Sequence, residues 1–248
     1  MQNLRYNENA DVIFTTYFTS RPNPQPNEAG VYVFAPKDDL SYIYPWYVSV
    51  KHLELNAVVL HDELSSEFVE KHQTEKIRFV RYIPQQYSLN DERYIALEQI
   101  LEHNRFGKVL LTDASDLMVK KNPFEFMSDA GSLYFGTDED KFPRIRDNSW
   151  CLSKLQALNQ SGVISLDEAF LDFEYINAGV FGGSYSNVRE FNKALTILFK
   201  LINNNKNNNM MAINYLLWKF NVNFFKGKPF TSSFKKYESQ GDYYIVHK

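Results

Sequence analysis

Two carboxylates three residues apart, Asp113 and Asp116, follow directly on the apolar run Val109-Leu110-Leu111 in Lys108-Val-Leu-Leu-Thr-Asp-Ala-Ser-Asp. A run of that kind reads as a buried strand, and carboxylates at its end are costly unless a cation or hydrogen-bond donors compensate them. In open α/β sheets, ligands collect beyond the carboxyl ends of the strands. Paired oxygens there suit a hard divalent cation that also holds a diphosphate. The competing reading makes Asp113 a turn cap and Asp116 a solvated loop acid.

The elements that must position these acids can be followed along the chain. Asp11 to Phe18 is apolar, β-branched and aromatic, a first strand, and it opens into a proline-studded loop, Thr19 to Pro26. A helix is expected over Tyr44 to Leu53, a strand over Ala57 to His61, a helix over Glu63 to Lys71 and a strand over Ile77 to Tyr82. Asn90 can cap a helix running to His103, with Tyr94, Leu97, Ile100 and Leu101 on one face. Beyond the acids come a strand at Ser132 to Phe135, a polar loop to Trp150 and a glycine-rich strand, Tyr175 to Gly183. Asn187, with Glu190 three residues on, has the form of a capping box for a helix striped by Val188, Phe191, Leu195, Leu198 and Ile202. The asparagine tract Asn203 to Asn209 reads as an exposed break. A last helix follows, whose methionines read as core, and then short strands at Asn223 to Phe225, Lys228 to Phe230 and Tyr243 to Val246. The alternation predicts a mostly parallel α/β sheet with right-handed crossovers, in one domain without a linker.

Composition narrows the function. With 27 basic and 30 acidic residues the net charge is −3, so no global positive field argues for nucleic acid or anionic lipid. The single cysteine, Cys151, excludes an internal disulfide and a cysteine-rich zinc site. The first ten residues lack the apolar core of a signal peptide, and no run approaches the roughly 20 apolar residues of a membrane span. The expectation is a cytoplasmic protein, free or peripheral at a membrane.

Three segments in order, Leu110-Leu-Thr-Asp-Ala-Ser-Asp with Asn122-Pro-Phe, Tyr175-Ile-Asn-Ala-Gly-Val-Phe-Gly-Gly and Ile245-Val-His-Lys, resemble the nucleotide-diphospho-sugar glycosyltransferases of the GT-A fold. The likeness runs from the first strand to the end of the chain. It implies a single GT-A-type domain over 1–248, Rossmann-like, with a nucleotide-binding half over 11–120 and an acceptor-binding half over 121–248. It also implies a divalent metal, Mn2+ before Mg2+, held by Asp113, Asp116 and His247. The family usually spaces its acids Asp-x-Asp, and Ser115 stands where that second acid would be, so this is an Asp-x-x-Asp variant. Thr15, Thr16, Arg93, Asp113, Ala178, Gly179 and Lys248 are expected around the donor, a UDP-sugar by preference, with Thr19 and Ser20 near the base. Asp138 and Trp150 are expected around a glycan or glycoconjugate acceptor. Asp172, Glu174 and Asn177 are the candidates for catalysis, one of the acids as a general base. Many relatives carry an acid at the start of the late helix, where this chain has Asn209. Two other readings stay open. A sugar-nucleotide nucleotidyltransferase would want a glycine-rich basic loop after the first strand, where this chain is proline-rich with one arginine. The other is a non-catalytic sugar- or nucleotide-binding module on the same fold.

Overall fold

In the computed structural model, which describes residues 4, 6–7, 9–25, 29–138, 141–233 and 241–247, strands and helices alternate through the first half. The order there is β1 (Val12–Tyr17), α1 (Tyr44–His52), β2 (Asn56–His61), α2 (Ser66–His72), β3 (Ile77–Arg81), α3 (Leu89–His103), β4 (Lys108–Thr112) and β5 (Leu117–Val119). Then come α4 (Pro123–Phe126), β6 (Leu133–Gly136), α5 (Ser149–Gln160), α6 (Glu168–Leu171), β7 (Asn177–Ser184), α7 (Tyr185–Ile202), α8 (Asn209–Lys219), β8 (Phe224–Lys226) and β9 (Ile245–His247).

Seven strands form one sheet in the order β3–β2–β1–β4–β7–β6–β8. Only β7 runs against its neighbours, β4 and β6; the other pairings are parallel. The central strands are apolar throughout because both faces are covered. Val12, Phe14, Val109 and Leu111 point into a core with Leu97 and Ile100 of α3 and Leu195 and Leu198 of α7. Ile13, Val59 and Leu110 point the other way, onto Trp46 and Val50 of α1 and Phe68 of α2. A second, two-stranded antiparallel sheet pairs β5 with β9, Leu117 opposite His247 and Val119 opposite Ile245.

Several boundaries differ from the sequence expectation, and serines account for them. Ser88 Oγ accepts from Asp91 N at 3.2 Å, so α3 starts before Asn90. Ser184 Oγ accepts from Asn187 N, which moves the start of α7 ahead of the capping box at Asn187. Ser65 caps α2, which therefore begins after Glu63. Serine hydroxyls are good caps because they satisfy an orphan amide of the first turn. Lys228 to Phe230 forms no strand; Phe230 is buried and its carbonyl accepts from Ile245 N at 3.0 Å, fastening the approach to β9. Helix α5 is not announced by its pattern, since only Cys151 and Leu155 of it are buried.

The asparagine tract is also not the exposed break its composition suggests. Asn207, Asn208 and Asn209 are buried, and Asn208 donates its backbone amide and its Nδ2 to the Asp91 carboxylate at 3.0 and 3.1 Å. Asp91 is fully buried in the first turn of α3, and burial pushes its carboxyl up to about 7 against the pull of those donors.

Candidate active site

Strand β4 delivers the acids. Thr112 is its last residue, fixed by the Trp46 indole donating to its hydroxyl at 2.9 Å and by Thr15 Oγ1 donating to its carbonyl at 2.9 Å. Asp113 follows, its amide donating to the Gly179 carbonyl of β7 at 2.8 Å, and a tight turn through Ala114 and Ser115 presents Asp116 just before β5. Because β9 pairs with β5, His247 is set opposite Leu117, one residue from Asp116. His247 N donates to Ser232 Oγ at 2.9 Å, and its imidazole is buried. Its Nε2 lies 3.5 Å from Asp113 Oδ2 and 3.8 Å from Asp116 Oδ2. One ligand atom from each of Asp113, Asp116 and His247 falls within 4.8 Å of the others.

Charge in this corner is unevenly shared. The buried Arg93 guanidinium donates to the Asp113 carboxylate, to the Ala178 carbonyl and, at 2.9 Å, to the Tyr94 hydroxyl. Burial alone would raise the Asp113 carboxyl, yet Arg93 and then His247 hold it well below the usual range. Asp116 goes the other way: burial and the neighbouring Asp113 charge push it up. Its Oδ1 is buried without a hydrogen-bond partner. Two carboxylates, an imidazole and an orphaned oxygen are the donor set a divalent ion takes, and such an ion would relieve the repulsion that raises Asp116. The residues present therefore fit a metal.

Gly179 explains the glycine-rich strand. A Cβ there would stand 2.6 Å from Asp113 Oδ2 and 2.8 Å from His247 Nε2, so the backbone of β7 runs directly beneath the acid and the imidazole. The close approach is to these side chains. Asn177 Oδ1 accepts from Gly179 N at 2.7 Å, bending that amide onto its own strand end. Ser115 hydrogen-bonds the Tyr42 hydroxyl.

Around the corner is a cavity of about 150 Å³ lined by the acids, His247, Arg93, Asn177, Ala178 and Gly179, with Thr16, Asn23, Gln25, Tyr42, Asn90, Asn209 and Met210. It shares Thr16, Asn23, Gln25, Tyr42 and Asn90 with a second cavity of about 310 Å³, walled by Phe18, Val33, Phe34 and Leu89. On another side lies a third, of about 300 Å³, containing Asp138, Lys141, Phe142, Asn148, Trp150 and Tyr175. Trp150 is 40% exposed, with Lys154 Nζ 4.8 Å from its ring centroid.

The expected site residues thus divide. Thr16, Arg93, Asp113, Asp116, Asn177, Ala178, Gly179 and His247 come together, and Asp138 and Trp150 share the adjoining cavity. Thr15 does not join them: it faces the core and its hydroxyl is spent on Thr112. Thr19 and Ser20 donate their amides to Asp62 at 2.8 and 3.1 Å and line neither of the first two cavities. Asp172 and Glu174 stand apart from that group. Asp172 pairs with Arg144 at 3.1 Å and Arg146 at 2.9 Å, Glu174 with Lys226 at 2.9 Å, and neither lines the acidic cavity. Lys248 lies outside the described residues. Sequence reasoning missed Tyr42, Asn23, Gln25, Asn90 and Met210, which arrive from loops and helix starts; Met210 packs against the core as expected and also lines the cavity.

No protein-family model matches the chain, and no curated protein matches it. Solved structures do. The crystal structure of the galactosyltransferase LgtC in complex with donor and acceptor sugar analogues aligns with a TM-score of 0.53 over 96% of this chain and 86% of that one, at 15% sequence identity. The chain therefore has a GT-A-type α/β fold, with a mostly parallel seven-stranded sheet flanked by helices. At that identity the likeness is one of fold.

Proposed function

We propose that this chain is a metal-dependent glycosyltransferase, moving a sugar from a nucleoside-diphosphate donor, a UDP-sugar first among them, to a hydroxyl of a glycan or glycoconjugate. The observation that carries the reading is the convergence of Asp113, Asp116 and His247 at the carboxyl end of β4, in a fold shared with a galactosyltransferase. Asp113, Asp116 and His247 would hold a divalent ion, Mn2+ in preference to Mg2+ because a histidine nitrogen joins the oxygens, and it would supply positive charge for the leaving diphosphate. Residues 11–120 would then bind the nucleotide, along Thr16 and Tyr42, and 121–248 the acceptor, along Asp138 and Trp150. No described helix is long and apolar enough to cross a membrane, and the reading is of an enzyme working in the cytoplasm, free or peripheral at a membrane.

The chain's own groups suggest roles. Arg93 holds Asp113 ionised and ties it to the Ala178 carbonyl, so the acid and the strand beneath the donor sugar keep one geometry. Among the described residues lining the acidic cavity, the only carboxylates are Asp113 and Asp116. With both assigned to the metal, the described lining of this cavity offers no further carboxylate as base, which favours retention of anomeric configuration; Asp138 of the adjoining cavity is the candidate base for an inverting reaction.

Titration of UDP, GDP, ADP and CDP with and without Mn2+, followed by thermal stability, tests the binding half. At least one should raise the melting temperature only with Mn2+ present, and Asp116→Ala should erase the shift. No Mn2+-dependent stabilisation by any of the four would overturn the reading. Release of nucleotide from the matching sugar donor separates an enzyme from a binding module, and the anomer formed, read by NMR, tests retention.

A further inference from the structure

Gln25 borders three cavities at once: the one walled by Phe18 and Leu89, the acidic one, and the one holding Trp150. Met210 is the other described residue that lines both the acidic cavity and the Trp150 cavity. The two come from unrelated parts of the chain, Gln25 from the loop after β1 and Met210 from the first turn of α8.

Each is held by its backbone surroundings. The Gln25 amide donates to Asn23 Oδ1 at 2.9 Å, and Asn23 N donates to the Val33 carbonyl at 2.8 Å. The root of the loop is fixed by Arg21, which donates to the Tyr87 carbonyl at 2.8 Å and lies 3.6 Å from Glu92. Met210 presents its Sδ to the Ala178 amide at 3.3 Å, against the strand end beneath the acids. One side of the passage is therefore a neutral carboxamide that can both donate and accept, and the other a polarisable thioether with no donor.

We propose that Gln25 and Met210 form the throat between donor and acceptor cavities, and that the Gln25 carboxamide is a specificity-determining group that orients the acceptor hydroxyl. A sugar entering past Trp150 would rest its apolar face on Met210 and turn a hydroxyl edge to Gln25. The inference rests on the glycosyltransferase reading. In transfer, the bond from the anomeric carbon to the diphosphate oxygen breaks and a bond to the acceptor oxygen forms. The acceptor proton leaves with the released nucleoside diphosphate. Water in the acceptor's place gives the same exchange and frees the sugar. Orienting the acceptor at the throat therefore sets the partition between transfer and hydrolysis.

The test uses the full chain with Mn2+ and UDP-galactose, UDP-glucose or UDP-N-acetylglucosamine, whichever it cleaves, with and without methyl β-galactoside and methyl β-glucoside. Gln25→Ala should leave UDP affinity within about twofold and raise the glycoside KM about tenfold with a smaller change in kcat. The share of UDP release that yields free sugar should rise by a similar factor, and Gln25→Asn should restore part of the loss. An unchanged partition and unchanged hydrolysis in Gln25→Ala would overturn the proposal, as would a loss of UDP affinity matching the loss of transfer. A wild-type chain that binds none of UDP, GDP, ADP and CDP with Mn2+ would instead sink the glycosyltransferase reading itself.

Discussion

The two sides of the cavity are built by opposite means. On the acidic side, strand register sets Asp113 by β4 against β7, His247 by β9 against β5, and Gly179 by the same β7 pairing. On the Trp150 side, the lining comes from loops and helix starts, with Trp150 in the first turn of α5 and Gln25 in a turn held by an asparagine side chain. The difference follows from what each side must hold. Two carboxylates and an imidazole within a few ångströms repel or misalign unless the backbone fixes them, whereas an aromatic face and a carboxamide tolerate small displacements. The acidic side should accordingly fail sharply on single substitutions, and the Trp150 side by degrees.

The largest effect is expected at Asp116. Asp116→Ala should reduce turnover by about 100-fold or more, since loss of a ligand exceeds the roughly 10–100-fold cost of losing a supporting contact. The metal-free protein should melt no lower than wild type, because burial and the charge of Asp113 make ionised Asp116 unfavourable there. A drop in melting temperature alongside full activity would break the contrast between the two sides.

Arg93→Met comes next. Removing one partner of a buried pair typically costs about 3–5 kcal/mol, and because the Asp113 side chain is 34% exposed we expect about 2 kcal/mol, read by urea unfolding. An unchanged midpoint would mean that Asp113 finds its compensation elsewhere.

Gly179→Ala and Trp150→Ala sharpen the comparison directly. The added methyl must displace Asp113 or His247, so Mn2+ affinity should fall about tenfold. Trp150→Ala should leave Mn2+ affinity unchanged and raise acceptor KM about tenfold, the scale of one lost aromatic contact. Calorimetry with Mn2+ on both variants decides the matter; a metal defect in Trp150→Ala would join the two sides into one.

The smallest effect is one of pH. Burial alone would raise the Asp62 carboxyl, but the Ser20, Thr19 and Glu63 donors hold it below its ordinary value of 3.8. A depressed carboxyl contributes stability that is present above the ordinary pKa and lost as pH falls through the lower folded one. Asp62→Asn should therefore melt lower than wild type at neutrality, with the gap closing as pH falls below about 4. Parallel acid limbs in the two proteins would refute this.

The acidic side was largely legible in the sequence because its signals are local: an apolar run ending in acids, a glycine-rich strand, a strand-like tail ending in histidine. Arg93 was legible too, as a cation one helix before the acids. The ion pairs of Asp172 and Glu174 were not legible, because nearness to Asn177 along the chain says nothing about the arginines and lysine they meet in space. Thr15 and Thr16 lie on opposite faces of one strand, and strand alternation could have told them apart. The throat residues carried no signal. A glutamine in a proline-rich loop and a methionine after an asparagine tract acquire meaning only when β1 and α8 are brought together.

That meeting has a mechanical consequence. Asp91 sits two residues before Arg93, and Asn208, which grips it, sits two residues before Met210. One buried carboxylate thus joins the heads of α3 and α8 like a dovetail, with the cation and the thioether mounted just beyond the joint. Neither helix can slide without dragging the other, so the span from Arg93 to Met210 behaves as the jaw of a fixed wrench. Any adjustment of the cavity between them has to come from the rest of its described lining, Thr16, Asn23, Gln25 and Tyr42.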